Sequence, residues 1–294
     1  MNSHTVTTST ARVADNPDLK PLIQFVTVAL PVGWVLLTIP FLLDMPVEPF
    51  VLGTLFLGLV LPSVVLTRRD PTASMRQLLR DTVRPPRPLW VLLPAAVMIP
   101  GAVAGVAALL GVGVPLTASF VVNLAVMNVL SSLVVVNLWE EMAWAGFVQR
   151  RAMARWGFAG GSVVTALAFT GVHLPLSLYG AHGIGDVAYN IGVMVVSGVG
   201  MRLIIGAFDE WGHRSILALG LIHATFNASS VLLEPGSEWV RYAVTFLLGL
   251  GAWALHRRTT TVTSAPARRR VAAAARRADH TSTRSASRRG ARSS

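Results

Sequence analysis

The chain has no cysteine, and only 13% of its 294 residues are charged, whereas soluble domains carry nearer 25%. Without thiols there are no disulfides, no thiolate zinc sites and no cysteine nucleophile. So little charge, beside 53% hydrophobic residues, excludes a soluble globular domain and predicts a membrane protein. The sequence also lacks internal repeats, an HExxH zinc helix and a GxSxG nucleophile turn.

Charge is missing in blocks. Stretches free of Asp, Glu, Lys and Arg cover 21–43, 49–67, 88–139, 156–185, 187–201, 215–233 and 242–255. One crossing of the hydrocarbon takes about 20 apolar residues, so 88–139 must hold two, parted at "GVGVP", Gly111 to Pro115. The expected fold is an all-α, polytopic transmembrane helical bundle of about eight spans, near 21–43, 48–67, 88–110, 118–147, 158–177, 186–206, 214–232 and 238–256. Arg202 and Arg241 fall within the sixth and eighth, where they are expected to snorkel toward an interface.

Arginines alternate with these spans. Arg68, Arg69, Arg76, Arg80, Arg84 and Arg87 follow the second; Arg150, Arg151 and Arg155 follow the fourth; Arg214 follows the sixth. The intervening loops carry Asp44, Glu48, Asp186, Glu234 and Glu238. By the positive-inside rule this predicts a multi-pass protein of the cell (plasma) membrane with both termini cytoplasmic. Residues 1–20 are polar and mixed in charge, so the first span reads as an uncleaved anchor rather than a signal peptide.

A net charge of +11 suggests nucleic acid until it is located. From Arg257 onward stand eleven Arg and one acid, Asp279, so the tail supplies +10 of the +11. No nucleic-acid partner is expected. The chain divides into a polar N-terminus (1–20), a membrane domain (21–256, its chemistry within 118–232) and an Arg-rich tail (257–294) expected to be disordered. Membrane lipids are its expected partners, since anionic headgroups would attract it by about 1 kcal/mol per basic residue. The bias toward Ala, Arg, Val and Gly points to a bacterium with a GC-rich genome.

Against this apolar background "NLWEEMAWAGFVQRR", 137–151, places Glu140 and Glu141 at the end of the fourth span. At 1.5 Å per residue Glu140 lies about 15 Å from Arg150 and the basic interface. A carboxylate there costs about 2.5–3.5 kcal/mol. The two lie about 100° apart on a helix, so one can face a cavity only while the other finds a separate partner or a proton. In "FTGVH" His173 sits about 21 Å into the fifth span, and in "HATFN" His223 and Asn227 share one face of the seventh, about 14 and 20 Å from Arg214. Three helices thus bring Glu, His, His and Asn to similar depth, which predicts a site. A buried glutamate suits general-base chemistry, and imidazole or amide donors suit a developing negative charge.

In order and approximate spacing, "EEMAWAG", "FTGVH" and "HATFN" resemble the EExxxR, FxxxH and HxxxN motifs of the CPBP family of intramembrane proteases, which includes prenyl-protein (CAAX) endopeptidases and bacteriocin-processing or immunity proteins. The resemblance covers about 118–232. It implies hydrolysis of a peptide bond within the membrane, in a cavity open to the cytoplasm, with a peptide or membrane protein as substrate. It implies that Glu140 activates water, that His173 positions that water, and that His223 and Asn227 stabilise the oxyanion. Glu141 completes the set. A zinc-bound, metalloprotease-like variant on Glu140, His173 and His223 stays open. The chain departs from the pattern at Ala145, where the family has Arg; Glu141 must then be neutral or find another partner, such as Arg202 or Gln149.

Other readings compete. A polar cluster can serve a non-proteolytic binding, immunity or scaffold protein, or a transporter, although the acids occupy one half of the spans only. "GIGD", Gly183 to Asp186, matches the GxGD of presenilin-type aspartyl proteases but has no second intramembrane Asp to work with. His182 and His213 read as loop residues, and Asn123, Asn128, Asn137 and Asn190 as interhelical hydrogen-bond formers.

Overall fold

The computed structural model describes residues 19–259; the Arg-rich tail beyond 259 and its expected disorder lie outside the described residues. The main compact unit, 1–249, is all-helical where described. Its helices are α1 (Lys20–Leu43), α2 (Glu48–Arg69), α3 (Met75–Val83), α4 (Leu89–Leu110), a 61-residue stretch Ala118–Leu178, α7 (Ile184–Trp211), α8 (Ile216–Ala228) and the start of α9 at Trp239. Residues 250–259, in a second unit, are also helical.

The 61-residue stretch is two helices. Gly157 has φ 73° and ψ 176°, outside any helix, and separates α5 (118–156) from α6 (158–173), which a 3-10 turn, Leu174–Leu178, completes. Gly161 then folds back so closely that a Cβ would fall 2.3 Å from the Met153 nitrogen. The fourth and fifth expected spans are therefore joined by a reversal that glycine alone permits. Among the described residues five helices are long and apolar enough to cross a membrane, this stretch counting as one. The expected seventh span is shorter, 13 α-helical residues closed by a 3-10 turn to Leu232. Where two crossings had to part, α4 ends on Gly111 at φ 69° and α5 starts behind Thr117, whose hydroxyl accepts from the Phe120 N–H at 3.2 Å.

One helix was not expected. α3 buries Leu78 and exposes Arg76 and Arg80, with Ser74 capping its N-terminus. It lies between two spans, so its short period was hidden among six arginines.

Packing runs α1 against α2 and α6, α6 against α7, and α8 against α4 and α5. Phe25, Leu55, Leu59, Trp144, Phe147 and Val172 form the core between α1, α2, α5 and α6. The outside is also apolar: Leu42, Leu93 and Leu109 are all exposed. A soluble protein hides such residues, whereas a lipid-facing bundle leaves them out. At the α7–α9 crossing the backbones touch, since a Cβ on Gly200 would fall 2.5 Å from the Phe246 Cα.

Candidate active site

Glu140 and Glu141 end a short α-helical piece of α5, and the next eight residues, Met142–Gln149, widen into a π-helix buried on every side. π-Turns inside α-helices often accompany functional sites. Here the widened turn buries Ala145, with Trp144 and Phe147, where the charged side chain of the family pattern would stand.

The two glutamates diverge. Glu141 is fully buried and receives Arg202 of α7 as a fork: Nη1 donates to Oε2 and Nη2 to Oε1, each at 2.7 Å. Oε1 also accepts from His223 Nδ1 of α8, at 2.7 Å. A carboxylate can only accept, so Nδ1 carries the hydrogen and the tautomer of His223 is fixed by Glu141. Arg202 does not reach an interface, as the sequence led us to expect; it is fully buried, with its guanidinium 4.8 Å from the Phe169 ring centre. Gln149 instead bonds the Arg202 carbonyl, Nε2 to O at 2.6 Å.

Glu140 faces the other way, into a cavity of about 510 Å³ whose wall also holds His173, His223 and Asn227. Its Oε1 is 3.6 Å from His173 Nε2 and its Oε2 is 3.8 Å from His223 Nδ1. His173 Nδ1 lies 2.8 Å from the Phe169 carbonyl, which only accepts, so Nδ1 carries the hydrogen here as well. In the neutral imidazole, Nε2 and the Glu140 carboxylate are then two acceptors aimed at one gap. At 3.6 Å these acceptors are too close for a water to stand between them, but one on the cavity side can donate to both. The Asn227 side chain is exposed in the same wall. Phe169 packs beside both histidines, its ring centre 4.4 Å from that of His173 and 5.8 Å from that of His223. Glu140, Glu141, His173, His223 and Asn227 are thus brought together, with Glu141 behind the cavity wall and the others on it.

The cavity wall includes Leu37, Tyr179, Asn190 and Arg241, from the end of α1, the turn after α6 and the starts of α7 and α9. Arg68, Arg69, Arg150, Arg151 and Arg214 mark the opposite, basic end. Residues 142–149 of α5, all buried, run from the site toward that end.

Among the described residues no group of three or more His, Cys, Asp or Glu side chains is gathered closely enough to hold a metal ion.

Sequence reasoning missed a second polar assembly, at the basic end. Arg150 donates from Nε and Nη2 to Asp209 at 3.0 and 2.7 Å and from Nη1 to Asp81 at 2.9 Å. Arg151 reaches Asp70 at 3.0 Å, and Arg84 donates to the His213 carbonyl. A signal existed: Asp70, Asp81, Asp209 and Glu210 stand among that end's arginines, but nothing local says which pairs with which. Of the four asparagines, Asn190 does bond another element, the Ser177 carbonyl at 3.0 Å, whereas Asn137 accepts from Ser132 of its own helix.

Residues 122–229 match the family model for the Type II CAAX prenyl endopeptidase Rce1-like proteins. No curated protein matches the chain. The matched segment contains the five residues gathered around the cavity wall and Arg202 besides. Residues 122–229 of this all-helical integral membrane protein are therefore an Rce1-like domain of the CPBP protease family.

Proposed function

We propose that the chain is an intramembrane endopeptidase that hydrolyses a peptide bond with glutamate-activated water. Glu140 is the general base; His173, its Nδ1 hydrogen held by Phe169, offers Nε2 to the same water. Asn227 stabilises the oxyanion through its amide N–H, and His223 does so from Nε2 as the imidazolium, its Nδ1 hydrogen still donated to Glu141. Glu141 does not touch substrate; it orients His223 and is itself held by Arg202, which makes Arg202 a positioning residue in place of the arginine absent at 145. The substrate is a peptide or a membrane-protein segment, and the basic tail adheres to anionic headgroups.

The observation that carries this reading is the gap between the Glu140 carboxylate and His173 Nε2, 3.6 Å wide, in the wall of a cavity. The separation is loose for a direct hydrogen bond and fits two acceptors sharing one donor. The test is cleavage of a peptide and membrane-protein library by the full chain in lipid, with and without a chelator. Wild type should cut and Glu140→Gln, folded to the same extent, should lose about 10²–10⁴-fold. A folded wild type that cuts nothing would turn the reading toward a binding or immunity protein. Loss of cutting in chelator would assign the water to a metal.

A further inference from the structure

Arg150, Arg151 and Arg202 each meet a carboxylate; a further arginine at the site does not. Arg241, in the first turn of α9, lines the cavity that holds Glu140, His173 and His223. Among the described residues lining it, Arg241 is the one Arg or Lys. It was expected to snorkel to an interface. Its guanidinium is packed 5.2 Å from the Phe226 ring centre and 4.7 Å from that of Tyr242, and Nη2 donates to the Tyr242 hydroxyl at 2.9 Å. Its Nε is shut off from solvent and has no acceptor. No carboxylate pairs with it among the described residues.

A cation held by two rings is oriented as well as stabilised. Its unspent donors in a mostly apolar wall favour an anion, and a planar fork favours a carboxylate. A dianion such as phosphate fits poorly, because one guanidinium would face two charges in a cavity that already contains Glu140. We propose that Arg241 is a carboxylate-binding subsite of this cavity. The consequence for substrate choice rests on the peptidase reading: a substrate would be held by a carboxylate at one point while Glu140 acts at another. That carboxylate is either the substrate's C-terminus or an Asp or Glu side chain.

Binding is tested without catalysis. The full chain in lipid is unfolded thermally with N-acetyl-leucine or its neutral isostere N-acetyl-leucinamide. The acid should raise the midpoint of wild type and of Glu140→Gln, the amide should not, and Arg241→Gln should abolish the difference while Arg241→Lys retains part of it. Equal stabilisation by acid and amide in wild type, or an undiminished acid effect in Arg241→Gln, overturns the subsite. Cleavage then separates the sources. Library peptides with free or amidated C-termini, and with Asp and Glu or Asn and Gln, should differ by about tenfold or more in kcat/KM in one of the two comparisons. Arg241→Gln should erase that difference. Cutting that ignores both kinds of carboxylate sinks the subsite and leaves the peptidase standing. An Arg241-dependent acid effect without any cutting does the reverse.

Discussion

Helices α5 and α7 are tied together twice, with the charges exchanged. In the interior α5 supplies the acid, Glu141, and α7 the base, Arg202; at the basic end α5 supplies the base, Arg150, and α7 the acid, Asp209. Both ties run in the same direction along the two helices, which makes α5 and α7 parallel, as alternate spans of a multi-pass chain must be. The interior tie is closed and complete, one fork on one carboxylate with a histidine added, and both partners fully buried. The outer tie is open-ended: Arg150 also serves Asp81 and the Arg214 carbonyl, and its side chain is 14% exposed. Away from water a charge without its partner is costly, so the stoichiometry has to close. Near water surplus charge is tolerated and partners can be shared.

The comparison can be broken experimentally. The largest effect should come from Arg202→Ala, about 3–5 kcal/mol of stability, because it leaves Glu141 buried and unpaired; equilibrium unfolding in detergent or lipid reads it. Adding Ala145→Arg to that variant should restore part of the loss if the guanidinium is needed at Glu141 and its helix of origin is secondary. Failure to restore any would mean that α7 itself must carry it. Arg150→Ala should cost less, about 1.5–3 kcal/mol, and its effect should shrink in high salt whereas that of Arg202→Ala should not. Equal salt dependence of the two would abolish the distinction drawn between the ties.

A change that touches neither tie, Gly200→Ala, should cost about 1–3 kcal/mol by forcing α7 from α9, visible as a lower unfolding midpoint with unchanged salt response. The smallest effect belongs to Asp70. The Thr72 hydroxyl first, then the Thr72 N–H and Arg151, hold its carboxyl below the usual range against a smaller opposing effect of burial. Its contribution to stability is therefore full above the ordinary Asp value, about 3.9, and is lost as pH falls through the lower folded value. Asp70→Asn should flatten that acid limb slightly; an unchanged pH profile would remove Asp70 from the ties that matter.

The spans were legible because a missing charge over about 20 residues has few soluble explanations. Glu140, His173, His223 and Asn227 were legible because each is polar where the surroundings forbid it. α3 was not, since nine residues among arginines look like any basic loop. Nor was the buried π-helix Met142–Gln149, since those residues are as apolar as any span.

The sequence by itself determined that the chain is a helical membrane protein, roughly where its helices turn, and which side chains stand at one depth. Those are properties of local composition and helical rise, and need no neighbour. Only the tertiary structure decided that Glu141 turns from the cavity to Arg202, that Glu140 meets His173, and that Arg241 stays at the cavity wall. Pairing of charges across helices depends on which faces meet, and hydrophobic periodicity in lipid says little about that, because the outside of the bundle is as apolar as the inside.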